Sequence, residues 1–81
     1  MAENLPPLRV LDVRDLPAPE PMQRIHEALL ELPANGQLLA HTPMRPAPLL
    51  DWLSRHGFAW RVSEHADGAA TVWIQARAAG H

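Results

Sequence analysis

Arg14 and Arg45 are the side chains of this sequence best suited to bind an anion. Each follows a short β-type run and lies close to a Pro-Ala-Pro motif. A planar guanidinium forms paired hydrogen bonds with a carboxylate, a phosphate or a sulfur oxyanion. His41 and Glu20 lie near the same two segments of the chain. The pattern predicts a site for a small anion or an acidic partner side chain, formed by Arg14, Arg45, His41 and Glu20.

Acidic residues near Arg14 allow two other interpretations. Asp12, Asp15 and Glu20 are close enough in sequence to pair with Arg14 and brace the loop instead. Alternatively, Asp12, Glu20 and His41 form a general acid-base set, although no spacing requires it. The sequence has neither a Gly-x-Ser-x-Gly motif nor a glycine-rich phosphate loop. We therefore predict no catalytic residue and a protein that is not an enzyme.

The residue types that are missing exclude several kinds of chemistry. The 81 residues include no cysteine, lysine or tyrosine, which excludes thiol nucleophiles, disulfides, thiolate metal sites and Schiff-base lysines. The five histidines lack metal-ligand spacing, so we expect no metal and no cofactor. A net charge of −2 without a basic run argues against binding to nucleic acid. No apolar stretch is long enough to span a membrane, and a cytoplasmic protein is expected.

Hydrophobic periodicity predicts the elements that must position these residues. Alternation and β-type composition predict strands at residues 8–13, 37–42, 58–63 and 71–75, and helical spacing predicts helices at residues 20–32 and 49–56. The order is β-α-β-α-β-β, an α+β two-layer sandwich in one domain spanning residues 8–77. Residues 1–7 and 78–81 are expected to form a flexible arm and tail.

The two β-α-β crossovers bring the candidate anion site together at one edge of the sheet. Strands joined through a helix run parallel with a right-handed crossover. The first two strands therefore end at the same edge, where both proline clusters and both helix N-termini meet. We expect Arg14 and Arg45 to share one rim there.

The predicted hairpin places a second candidate site on the face of the sheet that the helices leave open. Trp60 and Val62 on one strand and Val72 on the other point toward the helices. Arg61 and Trp73 then lie on the open face, as a cation–π pair or as anchors of a protein interface. The interface partner is expected to be another protein or, in a homodimer, a second copy of this chain.

The first half of the sequence resembles the TusA-like, or SirA-like, sulfur-carrier domains. Their signature, Leu-Asp-x-Arg-Gly-Leu-x-Cys-Pro-x-Pro, is similar to Leu11-Asp-Val-Arg14-Asp-Leu16 and the following Ala18-Pro-Glu-Pro21. The family's catalytic cysteine corresponds to Ala18, and the glycine after its arginine corresponds to Asp15. Because alanine cannot hold a persulfide, sulfur transfer is not implied for this chain.

Residues 9–77 resemble even more closely a related bacterial family, the domain of unknown function 2249. The motifs that carry this resemblance are Pro46-Ala-Pro-Leu49, Gly57-Phe58 and Val72-Trp-Ile74. The His-Asp pair that often precedes Pro-x-Pro-Leu in that family is replaced here by Met44-Arg45. The resemblance implies two helices on one face of a four-stranded mixed sheet, with the last strand inserted antiparallel between strands two and three.

Taken together, these features predict a non-catalytic binding or scaffold module that acts through protein-protein contacts. A link to redox, sulfur or nitrogen metabolism is implied by the family resemblance. The alternatives that remain open are a sensor or carrier of phosphate or a sulfur oxyanion, and an enzyme that uses Asp12, Glu20 or His41.

Overall fold

The computed structural model describes residues 8–76, which form four strands and two helices. In chain order these are β1 (Leu8–Asp12), α1 (Glu20–Glu31), β2 (Gln37–Thr42), α2 (Ala47–Arg55), β3 (Ala59–Glu64) and β4 (Ala70–Gln75). The predicted order β-α-β-α-β-β is confirmed. Residue 77, the predicted arm at residues 1–7 and the predicted tail at residues 78–81 lie outside the described residues.

The four strands form one mixed sheet in the order β1-β2-β4-β3. Strands β1 and β2 are parallel, and Val10 pairs with Leu39 in their register. Strand β4 runs antiparallel to both of its neighbours, so that Trp73 pairs with Leu39 on β2 and with Arg61 on β3. This arrangement confirms the insertion of the last strand that the family resemblance implied.

The helices cover one face of the sheet because its strands alternate between buried and partly exposed residues. The buried set includes Leu38 and Ala40 on β2 and Val72 and Ile74 on β4, each of which is inaccessible to solvent. These residues form one hydrophobic cluster with the buried residues of α1 and α2. Removing this apolar area from water is the main stabilising term of such a small domain.

Prolines and glycines set the ends of the helices. Pro21 and Pro48 lie in the first turns of α1 and α2, where a missing N–H breaks no helical hydrogen bond. Helix α1 ends before Pro33, and α2 is followed by Gly57 with a positive φ of 79°. That left-handed conformation favours glycine, which confirms the predicted cap.

The turn between β3 and β4 lies at Asp67 and Gly68, as predicted. Gly68 adopts a φ of 94°, and its N–H donates to the carbonyl of His65 at 3.0 Å. The Asp67 carboxylate accepts a hydrogen bond from the N–H of Ala69 at 3.0 Å. The turn therefore fixes the register that places side chains of β3 and β4 next to each other.

Candidate functional site

The two connections that follow β1 and β2 lie at the same edge of the sheet, as the crossover argument predicts. Parallel pairing aligns Asp12, the last residue of β1, with His41 near the end of β2. The N–H of Val13 also donates to the His41 carbonyl at 2.9 Å, which holds the start of the first connection against β2. Both proline clusters therefore approach each other beside the N-termini of α1 and α2.

A cavity of about 460 Å³ lies between these proline clusters. Its walls are nearly all carbon, and they are formed by Leu16, Ala18, Met22, Ile25, Thr42, Met44, Arg45 and five prolines (Pro19, Pro21, Pro43, Pro46 and Pro48). Ala18 is one of the wall residues. The volume lies within the range of small-molecule pockets.

The helix N-termini beside this pocket have few N–H groups to offer to an anion. In α1 the first N–H, that of Glu20, donates to the Pro17 carbonyl at 2.9 Å, and the second residue is a proline. In α2 the N–H of Ala47 donates to the Arg45 carbonyl at 3.1 Å, and again a proline follows. The pocket is thus apolar at a place where helix dipoles alone would favour an anion.

Thr42 shapes the wall of the pocket from the end of β2. Its side chain is 1% exposed, and its hydroxyl donates to the Met44 carbonyl at 2.8 Å, with the Ala70 carbonyl at 3.3 Å. These contacts hold the turn at Pro43 against the start of β4. The buried hydroxyl is therefore satisfied inside the fold and belongs to the framework of the pocket.

The guanidinium of Arg14 is paired with the carboxylate of Asp12, as expected if Arg14 braces the loop. The guanidinium donates from Nε to Oδ1 at 2.9 Å and from Nη2 to Oδ2 at 2.8 Å, and the Arg14 N–H also donates to Oδ1 at 3.1 Å. These hydrogen bonds favour the ionised carboxylate and lower the pKa of Asp12 from 3.8 to about 2. Arg14 therefore braces the loop after β1.

The residues predicted for the anion site are spread over two surfaces. Arg45 lines the pocket, and its Nη1 lies 3.3 Å from Oε2 of Glu64. Glu20 is half-buried at the start of α1. His41 and Arg14 do not line the pocket. His41 lies on the open face of β2, and Arg14 lies in the turn after β1. The structure thus brings Arg45 to a cavity without gathering the other three residues around it.

The open face carries an apolar row that crosses three neighbouring strands. Val10, Leu39 and Trp73 are successive partners in register on β1, β2 and β4. Val10 is 57% exposed, Leu39 and Trp73 are half-buried, and the indole N–H of Trp73 donates to Oε1 of Gln37 at 2.8 Å. Arg61 on β3 pairs with Trp73 and extends this row. We call the four residues Val10, Leu39, Trp73 and Arg61 the cross-strand row.

A chain of polar side chains lies next to the cross-strand row, and the sequence analysis missed it. The Thr71 hydroxyl oxygen is 3.0 Å from Nδ1 of His41 and 2.7 Å from Nε2 of His65. A hydroxyl can donate to one imidazole while it accepts from the other. Asp12 pairs with His41 in register, so two members of the proposed acid-base set are neighbours. Glu20, the third member, begins α1 on the helical layer.

The other histidines within the described residues pack against Trp52. Its ring stacks on His56 with centroids 4.1 Å apart and meets the edge of His26 at 4.7 Å. Residues 8–76 contain no group of three or more His, Asp or Glu side chains arranged to hold a metal ion. Neither helix in this part of the chain has the length and apolar character needed to cross a bilayer.

Comparison with known proteins identifies the chain at the level of its family. No curated protein and no solved structure matches it. A family model matches residues 10–76, which span β1 to β4 and include the pocket and the cross-strand row. The match covers most of the chain and confirms the closer of the two resemblances. The chain therefore belongs to the family described as "Uncharacterized conserved protein (DUF2249)".

Proposed function

We propose that this domain is a non-catalytic protein-binding module that docks through the open face of its sheet, and that its partner there is a second copy of the chain. The observation that supports the proposal is the cross-strand row. Its central residues, Leu39 and Trp73, are apolar and uncovered by the helices, although apolar surface of this kind is normally removed from water. Trp73 at the centre of the row and Arg61 at its end are residue types typical of interface anchors.

The register makes the row complementary to itself. The centre of the sheet lies between β2 and β4, where Leu39 faces Trp73. A two-fold axis that runs along the strands at this point places Leu39 of one copy on Trp73 of the other. It also places Arg61 over β1 of the second copy, near Val10 and the acidic Asp12. Such isologous contacts use the same patch on both copies.

The charge of Arg61 favours this axis over the other two-fold arrangement. An axis that lies across the strands would place Arg61 on Arg61, and two like charges in contact would oppose association. With the axis along the strands, the two guanidinium groups lie at opposite ends of the interface. The aligned packing of two sheets at a spacing of about 10 Å has the same geometry as a β-sandwich.

The small size of the open face limits the strength of this association. Four strands at a spacing of about 4.8 Å and six residues at about 3.3 Å give a face of roughly 20 Å by 20 Å. That area lies at the low end of specific interfaces. We therefore propose a reversible dimer with a dissociation constant on the order of 10–100 μM.

The metabolic setting implied by the resemblance forms a further part of this proposal. We infer a structural role beside redox, sulfur or nitrogen chemistry, since Ala18 cannot carry sulfur itself. The small-anion alternative is less well supported because Asp12 occupies the guanidinium of Arg14. The enzyme alternative is also less well supported. Asp12 and His41 are neighbours, but Glu20 lies on the helical layer, so the three residues do not form one acid-base set. We therefore retain the binding role.

Sedimentation equilibrium over a range of protein concentrations tests the proposal. The variant Val10→Asp places a charge in the interface, and Val10→Thr keeps the branched shape while it removes an apolar contact. Leu30→Asp is the matched control, because Leu30 is 87% exposed on α1. We expect the wild type and Leu30→Asp to dimerise, Val10→Thr to dimerise more weakly, and Val10→Asp to stay monomeric. A wild type that remains monomeric at 1 mM, or a Val10→Asp variant that dimerises normally, would overturn the proposal.

A further inference from the structure

The proline-walled pocket is large enough to hold a small molecule. Its volume of about 460 Å³ corresponds to roughly fifteen water molecules at liquid density. Water in such a cavity finds few hydrogen-bond partners, because Leu16, Met22 and Ile25 contribute carbon surface. Replacing that water with an apolar group is favourable.

The pocket is also built to stay open without a ligand. Pro19 and Pro21 at the start of α1 line the pocket together with Pro43 and Pro46 from the second connection and Pro48 in the first turn of α2. A proline ring fixes φ near −65° and therefore limits the ways in which a wall can collapse inward. A preformed cavity lowers the ordering cost that a ligand must overcome on binding.

Arg45 contributes carbon surface to the wall of the pocket, and its guanidinium reaches Glu64. Of the described residues that line the cavity, Arg45 alone carries a charge. Its contact with Glu64 is a single one at 3.3 Å, and both side chains are about half exposed, at 47% and 60%. Exposed ion pairs of this kind contribute little stability. A carboxylate on a ligand can therefore replace Glu64 as the partner of Arg45 at low cost.

We propose that this pocket binds a small amphipathic monocarboxylate, with its hydrocarbon part among the prolines and its carboxylate on Arg45. An inorganic anion would leave the carbon walls in contact with water. A neutral hydrocarbon would leave Arg45 unused. The pocket lies on the helical side of the sheet, opposite the cross-strand row, so this inference is independent of the proposed dimer.

Titration of the ¹⁵N-labelled protein by NMR, with octanoate as the probe, tests this inference. We expect saturable shifts at the amides of Leu16, Met22 and Ile25. Octanol carries the same chain without a charge, and inorganic phosphate carries charge without a chain. Octanol should bind about five-fold more weakly than octanoate, the loss expected for one exposed charge-assisted contact. Phosphate should cause no saturable shifts at these amides.

Two arginine variants assign the charged contact. Arg45→Gln keeps most of the side-chain length but removes the charge, and we expect it to weaken octanoate binding about five-fold. Arg55→Gln is the control, because Arg55 also pairs with one carboxylate, that of Asp51 at 3.1 Å, but lies in the last turn of α2. Three results would overturn the inference: no octanoate shifts at 10 mM, equal binding of octanoate and octanol, or equal weakening by both variants.

Discussion

Leu38 and Leu39 are adjacent leucines on opposite faces of β2. Replacing each in turn with alanine compares the stability contribution of the covered face with that of the open face. Leu38 is 0% exposed beneath the helices, and Leu39 is half-buried on the open face. Both changes remove the same atoms from the same strand. Any difference in their cost therefore reports what covers each face.

The expected costs differ by a factor of about three to five. Truncation of the buried Leu38 removes about 2.4 kcal/mol of transfer free energy and leaves a cavity, so we expect a loss of about 3–5 kcal/mol. Leu39→Ala removes a side chain that is already partly in water and leaves no closed cavity, so we expect about 1 kcal/mol. For 81 residues, 1 kcal/mol corresponds to roughly 6 °C in Tm. The two variants should therefore melt about 12–24 °C apart.

Urea denaturation at a protein concentration well below the proposed dissociation constant measures these costs in the monomer. At high concentration, dimer formation stabilises the wild type and Leu38→Ala but not Leu39→Ala, since mass action favours the state that associates. The gap between the wild type and Leu39→Ala should therefore widen with concentration. Equal costs for the two variants in the monomer would show that the face we describe as open is covered, and would refute this reasoning.

Three further predictions test the local contacts. Hydrogen bonds from Arg14 lower the pKa of Asp12 from 3.8 to about 2. The contribution of this ion pair to the free energy of unfolding should therefore be complete above pH 3.8 and be lost as the pH falls through about 2. In urea titrations at different pH values, the Asp12→Asn variant should lack that part of the acid transition. Thr42→Val should cost about 1–2 kcal/mol by thermal denaturation, because the Met44 carbonyl loses its donor; an unchanged Tm would contradict this. Gly68→Ala should cost about 1–2 kcal/mol owing to its positive φ of 94° alone, since no atom lies within 4 Å of an added Cβ; a stabilised variant would disprove the assignment.

The elements of the fold could be predicted because each has a local signal. The buried Ile25 and Leu29 recur at helical spacing in α1, and the buried Val72 and Ile74 alternate with half-buried neighbours in β4. The position of β4 between β2 and β3 has no such local signal. It depends on pairing between strands far apart in sequence, and it was expected from the family resemblance alone.

The sequence predicted where the candidate site lies but not that its walls are apolar. Parallel crossovers predicted that both proline clusters meet at one edge, and the pocket lies there. The carbon surface that lines it depends on which way Met22 and Ile25 turn, which the order of elements does not determine. The contact of Thr71 with His41 and His65 likewise requires the exact register of β2, β3 and β4.

The most direct test of the proposed function is an isotope-filtered NOE experiment on a mixture of labelled and unlabelled protein at high concentration. Such an experiment detects proton contacts between two copies and ignores contacts within one copy. The account predicts contacts from the Trp73 indole of one copy to the Leu39 methyl groups of the other, because the two-fold axis passes between them. Contacts that involve the outer faces of α1 or α2 instead, or an absence of contacts between copies, would contradict it.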